Sequence, residues 1–180
     1  MEPEEVRIRS LYLFFSCSQA IDIFAARLAA TFPSPPLATP LLLQQSLKRE
    51  LGILFRYWTT RHIWQRLDDN EADAKKLNLA LLRLFTNGFR LPKDGSGLRY
   101  AELTTPVEET NELSHRITHA LGVEHPLLLV ELQQGILPWR HAVTKYTAEA
   151  LELPIDQLAP RVRDLASRSP PRTFSQDTRD

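Results

Sequence analysis

LLLQQSLKRELGILFRYWTTRHIWQRL, residues 41–67, is apolar over most of the circumference of the helix it predicts. At 100° per residue, Leu43, Leu47, Leu51, Leu54 and Trp58 align as one stripe, and Ile53, Tyr57, Trp64 and Leu67 as a second. A narrow polar strip holding Gly52, Lys48, Arg49, Arg56 and Arg66 separates them. A surface helix needs one apolar stripe; two stripes require cover on more than one side. The stretch therefore predicts a helix at the centre of a helical domain, or one whose second face is kept for another protein.

The flanking sequence has the same character. A helix from Pro3 to about Thr31 is predicted by the early proline, the first-turn acids Glu4 and Glu5, and the stripe Val6, Leu13, Cys17, Ala20, Phe24 and Leu28. Leu11, Tyr12, Phe14, Phe15 and Ile23 lie off that stripe. Pro33, Pro35, Pro36 and Pro40 then impose a corner. After Asp68, Asp69 and Asn70, which can cap, a third helix over 71–87 places Ala74, Leu77, Leu81, Leu84 and Phe85 on one side, with Leu79 and Leu82 elsewhere. It should stop at Asn87 and Gly88 and form an antiparallel hairpin with the second helix.

Pro92 and the run Asp94, Gly95, Ser96, Gly97 break the helical period, so a turn or small β-hairpin is expected near residues 90–101. This glycine turn lacks the spacing, the following Lys and the preceding strand of a phosphate loop. Thr105, Pro106 and Glu108 form a helix-start signature, and Gly122 closes that helix. A short helix over 126–134 should stop at Gly135, and another begin at Pro138 and end at Pro154. A last amphipathic segment joins Ile155, Leu158, Val162 and Leu165. The fold expected is all-α: an irregular bundle of five to seven helices forming one domain over 1–166, with a disordered tail over 167–180.

Twenty-two basic and 22 acidic residues cancel, so overall charge gives no reason to bind nucleic acid or anionic lipid. One cysteine, Cys17, excludes an internal disulfide and fits a reducing compartment, which makes the cytoplasm the expected location. The N-terminal apolar run is preceded by acids rather than the basic residues of an export signal, and polar residues interrupt it. No membrane span is expected.

Glu112, His115 and His119 have the Glu-x-x-His spacing of carboxylate-bridged metal bundles, but no second copy of the motif occurs. Leu113, Ile117 and Leu121 face the opposite way, so the acid and its histidines are expected on a solvated face. Ser16, Ser46, Ser96 and Cys17 lack the local turn of an activated nucleophile. No catalytic residue, metal ligand or cofactor site is therefore expected.

Lys48, Arg49, Arg56, Arg61 and Arg66 interleave with Tyr57, Trp58 and Trp64, a pattern able to grip phosphates and stack on bases; the acids from Asp68 to Asp73 could offset it. Residues 143–166 have a helix-turn-helix cadence. Thr147 to Leu151, then Glu152, Leu153 and Pro154, then Ile155, Leu158 and Val162, resemble the C-terminal promoter-reading helices of sigma factors and related regulators. The resemblance implies major-groove contacts from Gln157, Arg161 and Arg163. Glu152 stands where a turn glycine is usual, and Pro160 falls inside the second helix.

The function expected first is non-enzymatic: a regulatory or adaptor protein binding another protein, or itself as a homo-oligomer, through helix faces. Phe14, Phe15, Tyr57, Trp64 and Leu82 are the candidate anchors. DNA binding through residues 143–166 is the alternative.

Overall fold

The computed structural model describes residues 1–32, 40–92, 98–122 and 124–169. Six α-helices run in chain order among the described residues: α1 Pro3–Thr31, α2 Pro40–Arg66, α3 Glu71–Phe89, α4 Pro106–Leu121, α5 Leu128–Glu152 and α6 Ile155–Arg168. The architecture is an all-α bundle, and no strand occurs among the described residues. α1 packs on α2, α3, α5 and α6, and α2 packs on α1, α3, α4 and α5. Two helices rather than one therefore occupy the centre. α6 continues to Arg168, and residues 170–180, most of the segment where a disordered tail is expected, lie outside the described residues.

Central position answers the puzzle of the doubly apolar helix. Leu43, Leu47, Leu51, Leu54 and Trp58 are all buried, and so is Ile53 from the second stripe. Tyr57 and Leu67 are half-buried, and only Trp64 is substantially exposed. Neighbours within the same chain cover most of both faces, although Ile23, Leu42, Trp64, Leu79 and Leu82 leave some apolar surface exposed on α1, α2 and α3. α1 is also long and apolar enough to span a membrane by length and composition. Counting uninterrupted apolar residues missed this, because Ser10, Ser16, Ser18 and Gln19 are scattered through it. In this fold Leu13, Phe14, Cys17, Ile21, Phe24 and Leu28 are fully enclosed, the pattern of a core helix.

Three boundaries differ from the sequence reading, each because packing outweighs a local breaker. α3 continues through Gly88 to Phe89, and Arg90 takes the left-handed conformation instead (φ 52°), its N–H bonding Thr86 O. The extra turn buries Phe89 between Phe14 and Phe85, with ring centroids at 6.0 and 5.7 Å. Gly52 makes room for it: a Cβ there would lie 3.0 Å from Phe89 Cγ. In place of the expected hairpin, Leu98–Glu102 form a 3₁₀ turn, while residues 93–97 lie outside the described residues. Tyr100 locks that turn down, fully buried and stacked on Tyr57 at 6.0 Å.

The third difference matters most. The two short helices expected around Gly135 and Pro138 are one helix, α5, of 25 residues. Gly135 does not end it; its missing side chain lets α1 approach, since a Cβ would fall 2.7 Å from Phe24 Cε2. Phe24 stacks on Trp139 at 5.8 Å, so both halves of α5 grip the same aromatic. Pro138 and Gln134 are both exposed, and Pro138 has no N–H to bond the Gln134 carbonyl one turn earlier.

Local signals elsewhere act as read. Asn70 caps α3 by accepting from Asp73 N at 3.2 Å. Thr105 and Glu108 form a complete capping box on α4. The surrounding Thr104 and Thr105 N–H and O–H groups hold the Glu108 carboxyl at about 2, well below its usual value. Replacing Thr105 by alanine should lower unfolding free energy by about 1 kcal/mol in urea titrations, with serine close to wild type.

Candidate interaction face and a buried acid cluster

α5 and its N-cap carry four of the large apolar side chains that this fold leaves in water, more than any other helix among the described residues. Leu127 (56 % exposed), Leu129, Val130 (45 %) and Leu137 (57 %) all lie at or within its first three turns. At 100° per residue, Leu129, Gln133, Leu137, Val130 and Gln134 spread over an arc of about 140° on one side. From Leu127 to His141 the strip runs about 20 Å. Its two charged residues are engaged elsewhere: Glu131 pairs with Arg27 of α1 at 3.5 Å, and Arg140 turns toward Glu109 at 3.7 Å. What remains outward is apolar or amide, without formal charge. Antiparallel pairing of α1 with α5 (Tyr12 with Glu149, Phe24 with Gly135, Arg27 with Glu131) brings exposed Ile23 level with this strip.

The anchors chosen from sequence do not converge there. Phe14 is completely buried, a core residue rather than a surface anchor. Phe15 and Tyr57 are half-buried against the core. Trp64 and Leu82 are 37 % and 40 % exposed, on different helices. Val130 and Leu137 escaped notice because the strip reads as one face only when α5 is unbroken. The spacing Val130, Leu137 reveals it only when Gly135 is not taken as a stop and Pro138 as a new start.

Three of the five cations in the basic strip of α2 are ion-paired within the bundle. Lys48 pairs with Asp22 at 2.9 Å, Arg49 with Glu50 at 3.5 Å, and Arg66 with Glu152. The acids that offset it come from α1, α2 and α5, not from the α2–α3 turn as the sequence suggested. Arg56 is partly buried, and desolvation lowers its pKa. On α6, Gln157, Arg161 and Arg163 are exposed among Asp156 and Asp164, and Arg161 lies 3.7 Å from Glu149. α6 packs on α1 through Leu158 and Val162.

Compared with known protein families, with the curated proteins and with solved structures, the chain matches none. Its chemistry rests on its own geometry.

α4 holds the least expected group of residues. The Glu112 side chain was expected in water but is 9 % exposed, ion-paired with Arg99 at 3.0 Å. Helical phase explains the error: Glu109, Glu112, Leu113 and Ile117 share the buried face, leaving His115 and His119 exposed. Glu50 of α2 is buried beside them and accepts from Arg116 Nε at 2.7 Å. Glu109 is fully enclosed; its Oε2 accepts the Trp58 indole N–H at 3.0 Å. The phenol of Tyr100 is enclosed in the same region, and burial raises its pKa, with the charges of Glu112, Glu50 and Glu109 adding to the effect and Arg116 opposing it. No three His, Cys, Asp or Glu side chains among the described residues are placed to hold a metal ion.

Between α1, α5 and α6 lies a cleft of about 240 Å³ walled by Tyr12, Ser16, Tyr146 and Leu165. That is below the roughly 300–1,000 Å³ of ordinary small-molecule sites. Two of its polar groups are engaged: Tyr12 donates to Glu149, and Asp164 accepts from Arg168 at 3.1 Å. Burial pushes the Cys17 thiol up to about 12, so it is no nucleophile at neutral pH.

Proposed function

We propose that this chain is a non-enzymatic regulatory or adaptor protein that acts by binding protein through the outer face of α5, and that a second copy of itself is the first occupant. The supporting observation is the uncharged strip of Leu127, Leu129, Val130 and Leu137, the largest group of exposed large apolar side chains on any one helix among the described residues. Contiguous exposed apolar surface of this kind is the usual mark of an interaction site. A strip without charge is complementary to its own image across a two-fold axis, because no like charges meet. It is one helix wide and about 20 Å long, so it falls toward the small end of specific interfaces. Association in the micromolar range follows. A cytoplasmic setting belongs to the same proposal, from the single buried cysteine.

Light scattering coupled to size-exclusion chromatography tests this. The wild type should pass from monomer to dimer as concentration rises through the micromolar range. The double variant Val130→Glu, Leu137→Glu should stay monomeric with an unchanged circular dichroism spectrum, since both side chains point outward. A wild type that remains monomeric throughout, or a double variant that dimerises as well as wild type, contradicts the proposal.

A further inference from the structure

Glu109 is an anomaly that the binding role does not use. A carboxyl group with no exposed surface ordinarily sits in a full set of hydrogen bonds or a close ion pair. Here Oε2 receives one bond, from the Trp58 indole, and Oε1 has no hydrogen-bond partner among the described residues. The nearest cation, Arg140, stands 3.7 Å from Oε2, beyond hydrogen-bond reach. An enclosed anion with one bare oxygen is far more costly than the neutral acid in the same place.

Charges act on Glu109 from α2, α4 and α5. From α2 come Arg61, which favours the anion, and Glu50, which is paired with Arg116. The 3₁₀ turn contributes Arg99, paired with Glu112, and the Tyr100 phenol, whose oxygen is likewise buried and has no hydrogen-bond partner among the described residues. On α4 itself, Glu108 disfavours a second anion, while the positive end of the helix favours one. α5 supplies Arg140. Burial is the largest influence and raises the Glu109 pKa against the pull of Arg140, the Trp58 N–H and Arg61.

We infer that Glu109 and Trp58 form a proton-holding latch between α4 and α2: the carboxyl is a protonated acid in the closed bundle, and release of its proton to solvent loosens the packing of α4 on α2. The sign of the stability effect follows. A carboxyl whose folded pKa lies above its unfolded value binds more protons when folded, so its contribution is complete below the unfolded pKa and is lost as pH rises through the folded pKa.

Infrared spectroscopy of the full chain across a pH titration reads the proton directly, through the carbonyl stretch of a protonated carboxylic acid. The wild type should keep that band above about pH 4.3, where ordinary glutamates have ionised. Glu109→Gln should lack it, and Glu112→Gln should retain it. In parallel, unfolding stability should fall with rising pH more steeply in wild type than in Glu109→Gln across the window in which the band disappears. No band in the wild type above that pH, or an undiminished band in Glu109→Gln, overturns the inference. If Glu109→Gln does not fold, wild type and Glu112→Gln decide: a band in both supports the latch, and loss of the band in Glu112→Gln overturns it.

Discussion

Phe14→Ala should lower unfolding free energy by about 3–5 kcal/mol, the range for truncating a fully enclosed aromatic. Phe14 has no exposed surface and packs its ring against Phe15 and Phe85 at 5.6 Å each, and against Phe89 at 6.0 Å. These neighbours come from α1 and α3, so the hole lies at their joint and cannot collapse without moving a helix. Much of a typical domain's stability of about 5–15 kcal/mol would be lost. Urea unfolding at equilibrium measures this directly. The comparison is Leu82→Ala, at a side chain 40 % exposed, where the loss should stay under about 1 kcal/mol. A Phe14→Ala protein of near-native stability would place Phe14 at a surface, as the sequence reading had it.

Arg9→Ala should be nearly as damaging, at about 3 kcal/mol, for an electrostatic reason. Arg9 is 8 % exposed and reaches from α1 to the far end of α5. Its guanidinium donates to Ala150 O and, at 3.3 Å, to Leu153 O, while Nη2 pairs with Glu5 at 2.7 Å. The last carbonyls of a helix have no partners within it, and here Pro154 follows and can offer no N–H. Arginine therefore closes α5 from outside the helix and fixes the corner where α6 begins. Truncation leaves those carbonyls bare and Glu5 unpaired, and breaking a buried pair usually costs about 3–5 kcal/mol. The lower end applies because Glu5 is still partly in contact with water. Arg9→Lys should recover only part of the loss, since one ammonium cannot span both carbonyls and the carboxylate. Thermal melts of the three proteins give the order wild type, Lys, Ala; an alanine variant as stable as wild type removes Arg9 from the corner.

The helical class was legible wherever period and caps agreed. The Thr105–Glu108 box and Gly122 stand as read, because each is satisfied by residues within one turn of chain, whereas the two stripes of residues 41–67 are covered by other helices of the bundle. Breakers were misread wherever a distant partner decided. Gly88 is overruled by burial of Phe89, and Gly135 exists to admit Phe24, so neither glycine ends a helix. The same cause hid the outer face of α5, since Val130 and Leu137 belong to one strip only if the helix continues. The acid cluster was missed through a small error in phase. Placing Glu112 outward with His115 ignored that Glu109 and Glu112 lie beside Leu113 on the inner side. No sequence period shows that Arg99, Arg116 and Arg140 gather to meet those acids, because these arginines come from three separate elements.

Hydrogen exchange of the wild-type chain, followed by mass spectrometry at a low and a high protein concentration, bears most directly on the role assigned to α5. Slower exchange at high concentration should be confined to peptides covering Leu127–His141 and the neighbouring part of α1 around Ile23. Exchange that does not change with concentration, or protection centred on Trp64 and Leu82 instead, would contradict that role.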